Sequence, residues 1–151
     1  MRIVSATIAD ARRISALING LSRSFLLTPS GEGAEPFLAS VGESAIGGFV
    51  SANNFDYAMA EVDGQLAGVV AVRDHSHLFH LFVAEAFQRS GLGTRLWLMA
   101  KTRALQAGNA GRFTVNSSLN AIPVYRKFGF VETGPVVRSH GVAFQPMQWD
   151  T

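Results

Sequence analysis

Val83-Ala84-Glu85-Ala86-Phe87-Gln88-Arg89-Ser90-Gly91-Leu92-Gly93-Thr94 is the stretch on which the reading of this chain turns. An apolar run from His77 ends at Val83, a short turn follows, and two glycines open a helix. The first N–H groups of a helix lack intrahelical partners and point outward with the positive end of the macrodipole. Glycine removes the Cβ atoms that would hold a phosphate at a distance, so backbone here can wrap an anion. Arg89 adds a formal charge beside it. Alone, Gly-x-Gly at a helix start can equally serve close packing. Two nucleotide signatures are missing: no Gly-Lys-Ser/Thr follows, and Leu96 stands where a dinucleotide fold wants its third glycine, with no acidic residue before Glu132 to take a ribose hydroxyl.

Outward from the turn, charge is uneven. From Ala86 to Val131 there is no acidic residue, while Arg89, Arg95, Lys101, Arg103, Arg112, Arg126 and Lys127 give +7, leaving −5 for the rest of a chain of net charge +2. That asymmetry suits one segment holding an anion and another tolerating a cation, although solvated helix faces produce it too. With 151 residues, 48% apolar and 10% aromatic, the chain has the length and side chains of one folded domain over residues 1–151. The lack of cysteine excludes a disulfide framework, a zinc ribbon and a cysteine nucleophile. No apolar run reaches the ~18 residues of a membrane helix. Met1-Arg2-Ile3-Val4-Ser5 lacks the apolar block of a signal peptide, so a soluble, cytoplasmic domain is expected.

Hydrophobic spacing predicts the elements. Ile3 to Ile8 reads as a strand, and Ile14, Leu17, Ile18, Leu21 and Phe25 give an amphipathic helix capped by Asp10. Short helices carrying Phe37, Leu38, Val41, Ile46, Phe49 and Val50 follow the break at Thr28–Gly33. Tyr57–Val62 and Leu66–Arg73 form a hairpin, because Asp63-Gly64 supplies the positive φ of a tight turn. His77–Val83 is a third strand, and Gly91–Ala107 a helix with Leu92, Leu96, Met99, Ala100 and Leu105 inward, ended by Gly108. Arg112–Asn116 is a strand and Ala121–Phe128 a short helix with Pro123 in its first turn. Phe130–Val137 and Val142–Trp149 close the chain as an antiparallel pair around Ser139-His140-Gly141. Strands bunched in the middle and then alternating with helices predict an α+β domain with a mixed, mostly antiparallel central sheet flanked by helices.

Gln88-x-x-Gly91-x-Gly93 after an apolar strand resembles the Gln/Arg-x-x-Gly-x-Gly/Ala signature of the GNAT superfamily, the acetyl-CoA-dependent N-acetyltransferases. Val115-Asn116-Ser117-Ser118, Ala121, Tyr125 and Phe128-Gly129-Phe130 resemble its second motif. The resemblance implies the GNAT fold and acetyl-CoA as co-substrate, with no metal. It implies that the backbone of Arg89, Ser90, Gly91, Leu92, Gly93 and Thr94, following Gln88, holds the coenzyme A pyrophosphate. The strand segment Leu81, Phe82 and Val83 would pair with the pantetheine amides and polarise the thioester carbonyl. Asn116 and Asn120 would bond coenzyme A amides, or Asn120 cap its helix.

Tyr125 falls where members place the general acid: a phenol of pKa about 10 can protonate a departing thiolate of pKa about 8.5, although a core Tyr bonded to backbone fits the same position. The family frequently puts a general base on the preceding strand eleven positions before Gln88, which is His77. A neutral imidazole there would take the amine's proton, although a surface or hairpin-edge His fits the same position. Glu61 is a second base candidate. His75 and His77 would share a strand face, as a metal pair would, with His80 on the opposite face in the core. With no Cys and no Gly-x-Ser-x-Gly, transfer would be direct, by attack of a primary amine in a ternary complex.

The resemblance implies that the N-terminal helices and last hairpin line the acceptor cleft. Glu32, Glu35, Glu43, Asp56 and Glu61 make that region acidic, which favours a cationic amine, small molecule or peptide or protein lysine. The expected partners are acetyl-CoA and that amine, with no nucleic acid and no membrane, and a homodimer through exposed Phe144 and Trp149. The rival reading is a non-catalytic acyl-CoA-binding module or sensor of the same fold, which needs neither Tyr125 nor a base. A nucleic-acid-binding domain using the +7 segment fits less well, because its basic residues scatter without an aromatic platform.

Overall fold

Asp63 and Gly64, at φ 51° and 78°, turn the chain between the two strands of its longest ladder, as a type I′ hairpin requires. Around that hairpin the computed structural model, which describes residues 1–151, builds strands β1 (Arg2–Ser5), β2 (Phe55–Val62), β3 (Gln65–Arg73), β4 (His77–Val83), β5 (Arg112–Ser117), β6 (Val131–Glu132), β7 (Val137–Ser139) and β8 (Val142–Asp150). Their order is β1-β2-β3-β4-β5-β8-β6, with β7 paired to β8. Every neighbouring pair is antiparallel except β4–β5. The helices are α1 (Ala11–Leu21), α2 (Glu35–Ser40), α3 (Glu43–Ser51), α4 (Leu92–Gln106) and α5 (Ile122–Phe128). This is the α+β, mostly antiparallel sheet flanked by helices that the spacing predicts.

The sheet is buried on both sides, which is why β2 and β3 are almost uninterrupted apolar runs. Ala58, Ala60, Val70 and Val72 face α4, in a core completed by Leu96, Trp97, Phe113 and Phe130. Tyr57, Met59, Val69 and Ala71 face Ile14, Ile18 and Ile46 of α1 and α3. On α4 the inward stripe is Leu92, Leu96, Trp97, Ala100 and Ala104, whereas Met99 is half-buried and Leu105 is 39% exposed. The helix is rotated to bring Trp97 against Phe113 (5.2 Å between ring centroids) and Phe130 (5.3 Å).

Three predicted details are corrected. β1 stops at Ser5 because the Asp10 carboxylate accepts from the Thr7 N–H (2.8 Å) and hydroxyl (3.1 Å), so it closes the preceding turn and makes no side-chain cap on α1. Phe130–Val137 is two short strands, since Pro135 has no N–H for a ladder and the Gln145 amide donates to the Gly134 carbonyl at the break (2.9 Å). Trp149 is not an exposed edge: it packs on Phe113, lies under the Lys101 ammonium at 4.7 Å from its centroid, and leaves no room for a Cβ on Gly129. Phe144 is half-buried opposite Val137, so neither residue is the fully exposed edge expected.

The β7–β8 turn repeats the first one, with His140 at φ 50° and Gly141 at φ 76°. Here the glycine is also a contact: a Cβ would lie 2.5 Å from the Ala34 nitrogen and 2.6 Å from the Gly33 carbonyl carbon. The Leu27 N–H donates to the Gly141 carbonyl (2.9 Å), so the segment after α1 is stitched to the last hairpin. Gly64 has the same sign of φ but nothing within 4 Å. Gly64→Ala is expected to cost about 1–2 kcal/mol, from φ alone. Gly141→Ala adds overpacking of roughly 1–3 kcal/mol. Urea midpoints of the two variants against wild type check the difference.

Candidate active site

β4 and β5 run side by side for only two pairs, His77↔Thr114 and Leu78↔Val115. Beyond them β4 stays with β3 as far as Gly68↔Val83, and β5 stays with β8 as far as Ser117↔Gln145, so a wedge opens between the two. A bulge marks the start of the wedge: Ala71 pairs with His80 and Val72 with Leu78, leaving Phe79 as the extra residue. Leu78 therefore faces the α4 core, while Phe79, His80 and Phe82 pack toward α1 and α3. Past the bulge the Ala84 N–H donates to Ala67 (2.8 Å), and antiparallel alternation puts Phe82 and His80 in the ladder with β3. The N–H groups of Leu81 and Val83 consequently point into the wedge. The Val83 carbonyl on that edge is taken by the Gln88 side-chain amide, at 3.0 Å. Gln88 thus ties the end of β4 to the turn, and the Phe82 backbone is spent on β3.

The glycine turn continues the open edge. Arg89 (φ 61°) and Gly91 (φ 83°) are both left-handed, and α4 begins at Leu92. The backbone N–H groups of Arg89, Ser90, Gly91, Leu92, Gly93 and Thr94 have no partner in the protein; the next, of Arg95, bonds the Gly91 carbonyl. Packing does not explain either glycine. A Cβ on Gly91 would meet nothing within 4 Å, and one on Gly93 would make only ordinary contact with Val83, at 3.7 Å. Gly91 serves the backbone turn, and the space over Gly93 is left free. A row of unpaired donors beside an arginine, under open space, can hold a phosphate or diphosphate.

Between turn and wedge lies a cleft of about 210 Å³. One wall is Leu81, Val83, Asn116, Asn120 and Tyr125; the other is Leu21, Ser24, Phe25, Phe79 and Phe82. Tyr125 is 7% exposed, its ring edge-on to Phe128 and Phe130, and its hydroxyl bonds no protein group. Burial pushes its phenol pKa well up, so it stays protonated. Asn116 is exposed and free, whereas the Asn120 Oδ1 accepts from the Ser118 hydroxyl (2.7 Å). Sequence reasoning missed Ser24 and the Phe25 and Phe79 wall. Phe25 was the last apolar step of the first helix pattern, and it ends in a single 3-10 turn, Ser22–Phe25, that carries it to the cleft.

The structure does not bring His77 to the cleft lining. It sits where β4 and β5 are still paired, half-buried, with Nδ1 2.7 Å from the Thr114 hydroxyl and its ring 6.4 Å from that of Phe79. Desolvation, then the Arg73 charge, hold its pKa below the ordinary value. Glu61 is not a base candidate: its carboxylate is bonded by Arg13 (2.8 Å) and Arg2 (3.0 Å), which lower its pKa. His75 is not on the strand at all, but in a turn with φ 55°, so it shares no face with His77. His80 is in the core, as expected, yet the bulge turns it to the same side as Phe79 rather than leaving it opposite. Its Nδ1 lies 2.8 Å from the Tyr57 hydroxyl, and burial drops its pKa to about 3. Of the acidic residues expected at the acceptor side, none lines the cleft; Asp56 is paired with Arg103 at 2.8 Å.

The family model described as "Acetyltransferase (GNAT) domain" matches residues 25–151. No curated protein matches the chain in sequence. Among solved structures, a GCN5-related N-acetyltransferase from Rhodopseudomonas palustris superposes with a TM-score of 0.81 at 21% identity, covering 99% of this chain and 95% of that one. PaiA N-acetyltransferase from Thermoplasma acidophilum, solved with coenzyme A, gives 0.78 at 14%, covering 99% and 98%. An aminoglycoside 6′-N-acetyltransferase, also complexed with coenzyme A, gives 0.71 at 12%, covering 98% and 96%. At these identities they share the fold.

Buried neutral His80 makes stability depend on pH in a defined window. The unfolded chain takes a proton on His80 below about pH 6.5, which the folded chain refuses until about pH 3. Stability is therefore full above that window and falls as pH drops through it. His77, also depressed, acts in the same direction, whereas the lowered carboxylates contribute only nearer pH 4. Urea midpoints at pH 7 and pH 5 are expected to differ in wild type, and the difference is expected to shrink in His80→Leu to the part that His77 contributes.

Proposed function

The chain belongs to the GNAT acetyltransferase family, and from that premise we propose that it moves an acetyl group from acetyl-CoA to a primary amine by direct attack in a ternary complex. The observation that carries the reading is two sets of unpaired donors, the Leu81 and Val83 N–H groups on the open edge of β4 and those of Arg89–Thr94, separated by a turn in which Ala84, Phe87 and Gln88 are bonded. Its two parts suit the two parts of coenzyme A. The N–H groups of the glycine turn would hold the pyrophosphate, with Arg89 and Arg95 as nearby cations. The open edge of β4 would pair with the amides of the pantetheine arm, and Asn116 and the free end of Asn120 can bond the same amides. Acetyl-CoA supplies the activated thioester.

The remaining chemistry falls to side chains and backbone of this chain. An N–H on the Leu81 edge would face the carbonyl oxygen, where negative charge builds as the C–N bond forms and the C–S bond breaks. Tyr125 would give its proton to the departing thiolate. Burial raises its phenol, which weakens it as an acid, but a thiolate in the same cleft is raised by the same desolvation. The amine's proton would leave toward His77, whose lowered pKa keeps it neutral at pH 7, and would have to be relayed there by water because the ring does not line the cleft. No cysteine is present for an acyl-enzyme.

Thiol release from acetyl-CoA, measured with a panel of primary amines, tests the reading. Tyr125→Phe is expected to keep coenzyme A affinity and to lower kcat about 10²-fold. An unchanged kcat would remove Tyr125 from the reaction. Saturable acetyl-CoA binding with no thiol released by any amine would leave the non-catalytic module instead.

A further inference from the structure

The two walls of the cleft differ in a way that bears on the acceptor. The wall that would face coenzyme A carries amides and hydroxyls: Asn116, Ser118, Asn120 and Tyr125. The opposite wall, on the α1 side of the sheet, is Leu21, Phe25, Phe79 and Phe82, with Ser24 its one polar side chain. Those aromatic rings are half-buried and held in place by others. Phe79 lies 4.9 Å from Phe49 and 5.1 Å from Phe55, and Phe25 lies 5.4 Å from Phe37. Each therefore presents one preformed apolar surface to the cleft without collapsing into it.

No residue lining the cleft is ionised at neutral pH. The carboxylates of the N-terminal half are elsewhere: Asp10 and Glu61 are bonded to Arg13, Asp56 to Arg103, and Glu32, Glu35 and Glu43 are on the exposed surface away from the lining. A second ammonium on an acceptor would enter this cleft without a counter-charge, and burying an unpaired charge is strongly unfavourable. An apolar body would instead leave water for the Phe25, Phe79 and Phe82 surface.

We propose that the acceptor is a small monoamine with an apolar, ring-sized body, seated on Phe25, Phe79 and Phe82, and not a polycation. This rests on the acetyl-transfer reading above for the position of the reacting amine. The bulge at Phe79 is what makes the wall: without the extra residue, alternation along β4 would send Phe79 and His80 to opposite faces.

The test compares 2-phenylethylamine and hexylamine with cadaverine and spermidine, each by kcat/KM for thiol release from acetyl-CoA and by calorimetric binding to the protein saturated with coenzyme A. At least a tenfold advantage for 2-phenylethylamine over cadaverine is expected in both. Ser24→Asp, a change at an exposed position that adds a carboxylate to the wall, is expected to shift the ratio toward cadaverine at least tenfold. Phe25→Leu is expected to raise KM for 2-phenylethylamine more than it changes kcat. Equal or better use of spermidine or cadaverine by wild type, or no binding of either monoamine, overturns the proposal. If the monoamines bind selectively and no amine releases thiol, the apolar-monoamine preference of the cleft stands as a binding property and the acetyl-transfer reading fails.

Discussion

The parting of β4 from β5 after Leu78↔Val115 is the constraint on which the site depends. A sheet interior normally pairs every backbone donor and acceptor, and leaving a strand edge open inside a domain is unfavourable unless something satisfies it. Here the protein closes one such group itself, by turning the Gln88 amide back to the Val83 carbonyl. The Leu81 and Val83 donors are left free, and past the bonded turn that follows lie the unpaired amides of Arg89–Thr94. Strand edge and helix start thus form one polar track along which a molecule with amides at one end and phosphates at the other can lie.

The wedge holds its shape because both faces of the sheet are packed. On one side Trp97, Phe113 and Phe130 anchor α4 over β3–β5, which fixes where the helix N-terminus points. On the other, Tyr57 and His80 share a buried hydrogen bond within a group of phenylalanines, directly behind the bulge that opens the strand. A neutral imidazole in that position satisfies the Tyr57 hydroxyl without burying a charge. The final hairpin, pressed on Gly33 and Ala34, holds the segment that brings Ser24 and Phe25 to the cleft.

Much of this was legible in the residues, and the parts that were not have identifiable reasons. Asp63-Gly64, the both-face apolar strands and the Gly91-x-Gly93 helix start are local signals, and β2, β3, β4 and α4 lie within a residue or two of where spacing predicts them. The bulge at Phe79 left no trace, because Leu78 to Phe82 is apolar or aromatic at every step and carries no alternation to interrupt. The acidic acceptor side was misread for a different reason. Glu61 and Asp56 are neutralised by Arg13 and Arg103, partners distant in sequence that only the fold brings near. The Leu21, Ser24 and Phe25 wall likewise depends on tertiary packing rather than on any motif.

The central claim is that the free amides of the glycine turn hold the coenzyme A pyrophosphate. Calorimetric titration of acetyl-CoA into wild type and into Gly93→Glu tests it most directly, because Gly93 lies inside α4 with no positive φ and with room for a side chain, so the variant should fold. The account predicts saturable binding to wild type that Gly93→Glu abolishes while its circular dichroism and urea midpoint stay near wild type. Binding that survives in a folded Gly93→Glu protein, or no binding by wild type, would contradict it.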